Sequence, residues 1–298
     1  MDRRQWPAQE RARRRQRRGL IRTGLRVRSA AALRIFLFGV ALAWPVAGST
    51  QATSPAAGPQ RALPLDQLRS GSSFMSSDLR AMQADDFANP AMLWAERGAA
   101  AWARPVGAAG RSCASCHQDA QMSMRGVAAR YPRFDTGTKT LVNLEGRVNL
   151  CRTAQQGAAA LAYESEELLA LTAHIARASR GSPLAVRIDG PAQEHFERGR
   201  ILFSTRIGQM NLACMHCHDW NAGRRLLSET ISQGHPNAYP AYRLEWQSTG
   251  SLHRRLRACF FGVRAEMPLP GAPELVDLEL FLMWRAQGLP IESPGVRR

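Results

Sequence analysis

Cys113-Ala-Ser-Cys116-His117 and Cys214-Met-His-Cys217-His218 decide how the rest of this chain reads. The pattern C-x-x-C-H is the attachment signature for haem of the c type: two thiols reach the porphyrin vinyl groups, and the adjacent imidazole turns under the ring to bind iron. One copy alone carries moderate weight. Two copies in a repeated frame carry much more. They predict two covalent haems c, one held by Cys113 and Cys116 and the other by Cys214 and Cys217, with His117 and His218 as iron ligands.

Outward from the motifs the same residues recur in the same order. Glu96-Arg97-Gly98 precedes the first motif at the spacing by which Glu197-Arg198-Gly199 precedes the second, both offset by 101 positions. Downstream, Cys151 follows Tyr131 by twenty residues and Cys259 follows Tyr239 by twenty, each Tyr being joined to Pro, and Arg147 falls opposite Arg255. Glu167-Leu168 with Gly181-Ser-Pro183 then matches Glu274-Leu275 with Gly288-Leu-Pro290, offset by 107. Anchors in one order predict an internal duplication.

Apolar residues at helical spacing in Ile201-Leu202-Phe203 and in Leu275, Leu278, Phe281 and Leu282 predict helices at both ends of the unit. Gly181 and Gly288, each with Pro two residues on, stop the last helix of each unit. No run alternates as a strand would, so the expected class is all-α, with two tandem cytochrome c-like domains at 79–190 and 191–298, the second holding the active site. Residues 50–78, rich in Ala, Pro, Ser, Gln and Gly without a helical period, read as a linker.

The 298 residues carry a formal charge of +16 and are 45% hydrophobic, enough to build cores. Such a charge suggests nucleic acid until it is mapped. Twelve arginines lie within residues 1–34 against only Asp2 and Glu10, so most of the excess sits at the start. That stretch runs into apolar Ile35 to Trp44 and the small residues Ala47-Gly48-Ser49, the layout of a secretory signal spanning 1–49. Its apolar part is short against the roughly 20 residues that cross a bilayer. The expectation is an exported, periplasmic protein with no stable membrane anchor and no nucleic-acid partner. Arg17-Arg18 invites a twin-arginine reading, but haem is attached outside the cytoplasm to an unfolded chain, which suits a route exporting unfolded protein.

Zinc or a redox dithiol are the other uses of paired cysteines. The pairs lie in separate units, each followed at once by His, which neither alternative needs. Cys151 and Cys259 remain, at equivalent positions. They could form a disulfide, sit as inert thiols, or bind the two irons opposite the histidines. Equivalent positions in separate domains seldom meet, which favours ligation. Methionine is the usual competitor: Met267-Pro268 has no counterpart in the first unit, and Met122 and Met124 lie too near His117 to wrap over the far face. His174, His235 and His253 read as ordinary core or surface histidines. Arg254, Arg255, Arg257 and Arg264 surround Cys259, and Arg147 and Arg152 flank Cys151. In a helix Arg255 and Cys259 share a face, so a guanidinium could clamp an oxyanion beside the sulfur.

These residues resemble the SoxA family of bacterial sulfur oxidation, over roughly Leu79 to the C-terminus. The most specific stretch is Arg255-Leu-Arg-Ala-Cys259-Phe-Phe-Gly-Val-Arg264-Ala-Glu266, followed by Glu279-Leu-Phe-Leu-Met-Trp-Arg285 and Gly288-Leu-Pro-Ile-Glu292, and Asn149-Leu-Cys151-Arg152 matches equally well. Met267 departs from the family, where Pro is frequent. The resemblance implies a dihaem cytochrome subunit with L-cysteine S-thiosulfotransferase activity, joining thiosulfate oxidatively to a cysteine of the SoxYZ carrier. It implies His117 and Cys151 on the first iron and His218 and Cys259 on the second. Cys259 would also pass through a persulfide, Arg255 would bind the substrate anion, and SoxX, a monohaem cytochrome, would be the partner and electron outlet. A dihaem electron carrier with a basic docking face is the competing function; a dihaem peroxidase would need an open iron site and an acid-base group.

Overall fold

Helices dominate the computed structural model, which describes residues 63–298. In chain order they are α1 (Ser77–Ala84), α2 (Met92–Ala103), α3 (Cys113–His117), α4 (Ala120–Ser123), α5 (Leu144–Cys151), α6 (Glu166–Ala178), α7 (Ala192–Ser204), α8 (Cys214–His218), α9 (Leu252–Gly262) and α10 (Pro273–Arg285). The signal expected at 1–49 and the first part of the linker lie outside the described residues.

Two glycines set the framework. Gly98 brings α2 against α6 so closely that a Cβ would stand 2.0 Å from the Ala170 carbonyl oxygen, and Gly199 brings α7 against α10 with 2.1 Å to the Asp277 carbonyl oxygen. No other residue type permits these crossings. Helix α6 starts where the Ser165 side chain accepts from the Leu168 N–H, with Glu166 and Glu167 in the first turn beside the positive end of the helix dipole. Pro273 opens α10, at a position that needs no N–H.

Each crossing carries its own apolar cluster. Leu168, Leu171 and Ile175 of α6 meet Trp102, Leu144 and Val148. Leu275, Leu278 and Phe281 of α10 meet Phe196 and Phe203 of α7, with Phe196 edge-on to Trp284 at 4.9 Å. Of the apolar trio at 201–203 only Phe203 is buried; Ile201 faces solvent. The second cluster also takes Leu141 and Leu184 from the first half. Beyond α6 and α10, at the expected stops, Gly181 and Gly288 have positive φ, and the two segments that follow pair with each other antiparallel across Pro183 and Pro290.

Two expectations are corrected. The chain is not all-α: β1 (Arg133–Asp135) pairs antiparallel with β2 (Thr140–Val142), β3 (Arg225–Leu226) with β4 (Glu229–Thr230), and β5 (Ala241–Arg243) lies between antiparallel β6 (Ser248–Gly250) and parallel β7 (Gly295–Arg297). Strands of two or three residues are too short for a two-residue alternation to register. Residues 63–78, read as part of a linker, carry short 3-10 turns and the start of α1. They are tied to the second half, with Arg69 N donating to Gln233 Oε1 at 2.7 Å and Ser72 Oγ to Glu292 Oε1 at 2.8 Å. Polar side chains anchor this segment, so no apolar period announces it. Among the described residues no helix is long and apolar enough to cross a membrane.

Candidate functional site

Each C-x-x-C-H motif folds as one short helical turn, α3 or α8. In α3 the turn is started by an exchange in which Ser112 Oγ accepts from Ser115 N at 3.0 Å and Ser115 Oγ accepts from Ser112 N at 3.1 Å. In α8 His216 takes the place of Ser115: its Nδ1 accepts from Ala213 N at 2.8 Å and its ring packs on Trp220 at 4.6 Å. His216 is therefore committed to the turn, leaving His218 as the free imidazole of the motif.

The loop ahead of each turn docks on the segment just after the lone cysteine. Gly107 and Gly208 have φ of +65° and +68°, and a Cβ would stand 2.2 Å from the Gln156 oxygen or 2.1 Å from the Val263 oxygen. Ala109 N donates to Gln156 O at 3.1 Å, and Gln209 N to Arg264 O at 3.2 Å. These ties bring Cys151 to the first motif and Cys259 to the second, although nearly forty residues or more separate them in sequence. Burial, then the neighbouring Cys259 charge, pushes the Cys214 thiol up to about 12, and the same two causes raise Cys217. Burial raises Cys113 and Cys151 too; Cys151 adds to the rise at Cys113, while Arg147 opposes the rise at Cys151. All six cysteines are free. Cys151 and Cys259 each attend their own motif, so the disulfide between them is not formed.

The donor set fits a covalent haem. His218 Nδ1 lies 2.8 Å from the Ser232 carbonyl, an arrangement in which the ring N–H donates and Nε2 keeps its lone pair for a metal. Burial lowers the His218 pKa, favouring the neutral form that can ligate. His117 is exposed beside Trp102, at 5.8 Å, and the Trp102 ring N–H holds the turn after it by donating to Gln118 O at 2.9 Å. Two thiols on one turn, an imidazole at its end and a third sulfur across from them suit haem iron. Among the described residues no three Cys, His, Asp or Glu side chains converge as a cage for a single metal ion, which is what zinc would require.

Arg255 lies one turn before Cys259 on α9, and charge on Cys259 raises its pKa. The charges of Tyr239, Glu245 and Glu229 add to that rise, but no carboxylate forms an ion pair with it among the described residues. Arg147, its counterpart, is instead paired to Asp135, whose carboxyl is held at about 2 by Arg147 and by Thr138. Met267 lies beyond α9 and is 41% exposed, Met122 faces solvent, and Met124 is in the first core cluster. His174, His235 and His253 are all buried. His235 Nε2 is 3.1 Å from Gln233 Oε1 and His253 Nε2 is 3.0 Å from Glu279 Oε2.

Sequence reasoning missed three groups near the site. Asp135 carried no signal beyond a turn residue. Arg285 is buried, ion-paired to Asp219 beside His218, and its guanidinium lies 4.3 Å over the Phe203 ring. Glu145, six residues before Cys151, is buried, and burial with the Glu279 charge pushes its carboxyl up to about 7. A Glu in the first turn of a helix ordinarily reads as a capping acid, which hid it.

Comparison with known proteins gives one consistent picture. The family described as SoxA/TsdA, cytochrome c domain, matches residues 97–184. The L-cysteine S-thiosulfotransferase subunit SoxA of Pseudaminobacter salicylatoxidans is 42% identical over 236 residues, 79% of this chain and 82% of the relative. The subunit of the same name from Paracoccus pantotrophus is 35% identical over 279 residues, covering 90% and 96%. A crystal structure of SoxXA from P. pantotrophus superimposes with a TM-score of 0.74 at 37% identity, covering 77% of this chain and 86% of the other.

Proposed function

The chain belongs to the SoxA family, and we propose on that premise that it is the haem-bearing subunit of an L-cysteine S-thiosulfotransferase acting in thiosulfate oxidation. The reaction joins the outer sulfur of thiosulfate to a carrier cysteine: R–SH and S2O3(2−) give R–S–S–SO3(−), one proton and two electrons. A cytochrome c domain carries covalent haem c, which supplies the acceptor for electrons leaving the sulfur pair.

Two such groups are part of the proposal, one in each half, the halves being tandem cytochrome c-like domains at 79–190 and 191–298 that arose by duplication. Cys113 and Cys116 would tether the first, with His117 and Cys151 as its iron ligands. Cys214 and Cys217 would tether the second, with His218 and Cys259. The recurring glycine crossings, capped turns and docked loops support this reading. A SoxX-like monohaem cytochrome would be the stable partner and a SoxYZ-like protein the thiol substrate, both outside the cytoplasm after removal of the signal at 1–49.

The observation that carries the assignment of chemistry is the unpaired Arg255 one helical turn from Cys259. Its planar fork can hold the sulfonate oxygens of thiosulfate while the outer sulfur bonds the Cys259 sulfur as Cys259–S–S–SO3(−), with one proton and two electrons leaving; the carrier thiolate would then attack the outer sulfur and release the Cys259 thiolate. Cys259→Ala should abolish thiosulfate transfer to the carrier while both haems stay attached, as read by mass spectrometry of the intact chain. Retained transfer would remove Cys259 from the chemistry; a dihaem electron carrier would instead show no transfer in the parent and, in the variant, an altered potential with electron transfer largely kept.

A further inference from the structure

The two sulfur sites are built on one plan and differ in one charge. Hairpin β1–β2 sets Asp135 opposite Thr140, and hairpin β5–β6 sets Arg243 opposite Ser248. Those residues, with Tyr131 and Tyr239, Arg147 and Arg255, and Cys151 and Cys259, all stand 108 positions from their counterparts. Asp135 and Arg243 therefore hold the same place in the two halves.

At the first site Asp135 accepts from the Arg147 guanidinium, and its other oxygen accepts from Thr138 N at 2.9 Å and Thr138 Oγ1 at 2.8 Å. Arg147 is occupied and neutralised. At the second site the matching side chain is a cation, 11% exposed, that turns to Glu245 Oε1 at 2.7 Å and reaches Tyr239 Oη at 3.5 Å. The carboxylate of this hairpin, Glu245, is thus ion-paired to Arg243 and reaches Arg255 only through the longer range of its charge. A guanidinium ion-paired to a carboxylate has its charge cancelled and little left to attract a dianion, whereas one without such a pair keeps its charge.

We propose that this hairpin position decides which sulfur site admits an anion: Asp135 closes the Cys151 site, and Arg243 leaves Arg255 open beside Cys259. The proposal rests on the reading of Arg255 as the thiosulfate-binding group and supplies its specificity determinant.

The test uses the mature, haem-loaded chain with its monohaem partner, titrated calorimetrically with thiosulfate in the absence of carrier so that no turnover occurs. The parent should bind one anion per chain, and Asp135→Asn should bind two. Arg243→Asp, which offers Arg255 the partner that Arg147 has, should weaken binding about tenfold or more and raise KM alike with little change in kcat. Parent affinity in Arg243→Asp, or a single anion in Asp135→Asn, overturns the proposal. Either variant decides alone if the other fails to fold. Arg255→Ala separates the two levels: if it binds thiosulfate as the parent does, the Arg255 reading fails first, and if it does not, any failure belongs to the hairpin residues.

Discussion

Replacing Gly199 by Ala would put a methyl carbon 2.1 Å from the Asp277 carbonyl oxygen and 3.0 Å from Phe281 Cβ. Carbon and oxygen settle at about 3.3 Å or more, so α7 and α10 must part by roughly 1 Å. The seam this opens holds Phe196, Phe203, Leu278 and Phe281, and a gap of about that size forfeits up to half of each contact across it. Overpacking costs about 1–3 kcal/mol and the opened seam adds to it, while the better helix propensity of Ala returns about 1 kcal/mol. A net loss of about 2 kcal/mol should lower Tm by roughly 4–8 °C in a chain of this size. Thermal unfolding of the mature protein, followed by far-ultraviolet circular dichroism, reads it directly. Gly262→Ala is the control: it lies in α9 with nothing within 4 Å of the added carbon, so it should gain up to about 1 kcal/mol. If Gly199→Ala melts with the parent, the close crossing is not what fixes the helix pair.

Glu145 offers a pH test of the buried cluster. Its carboxyl stands at about 7 against an ordinary 4.5, through burial first and then the Glu279 charge, so the folded chain holds a proton that the unfolded chain releases. That contribution is present below about pH 4.5 and is lost as pH rises through about 7. Glu145→Gln should therefore be the more stable protein at about pH 8, by an amount on the order of a few kcal/mol, and gain nothing near pH 4; parallel urea curves at both pH values would refute this. Arg285→Met would strand the Asp219 carboxylate and cost about 3 kcal/mol or more, measured by urea unfolding. A second change, Asp219→Asn, should recover part of the loss, and no recovery would argue against a charge effect.

Much of the site could be read in one dimension because covalent chemistry is local. Two thiols and an imidazole must lie within one helical turn to hold a haem, so Cys113 to His117 and Cys214 to His218 announce themselves. The glycines at 98 and 199 stood out only as parts of a recurring tripeptide; their reason, two backbones in contact, appears in three dimensions. The short hairpins escaped because three residues do not make a period. The segment 63–78 escaped because long-range polar hydrogen bonds, to Gln233 and Glu292, order it.

The sequence by itself determined the helical framework, the two C-x-x-C-H turns, and the placing of Arg255 one turn from Cys259, all of which depend on neighbours within a turn or two along the chain. Only the tertiary structure decided that Cys151 and Cys259 each attend their own motif, and that Asp135 occupies Arg147 while no carboxylate among the described residues forms an ion pair with Arg255. Charge acts through space, so the partner of a guanidinium is set by which loops the fold brings together, and nothing in the order of residues records that distance.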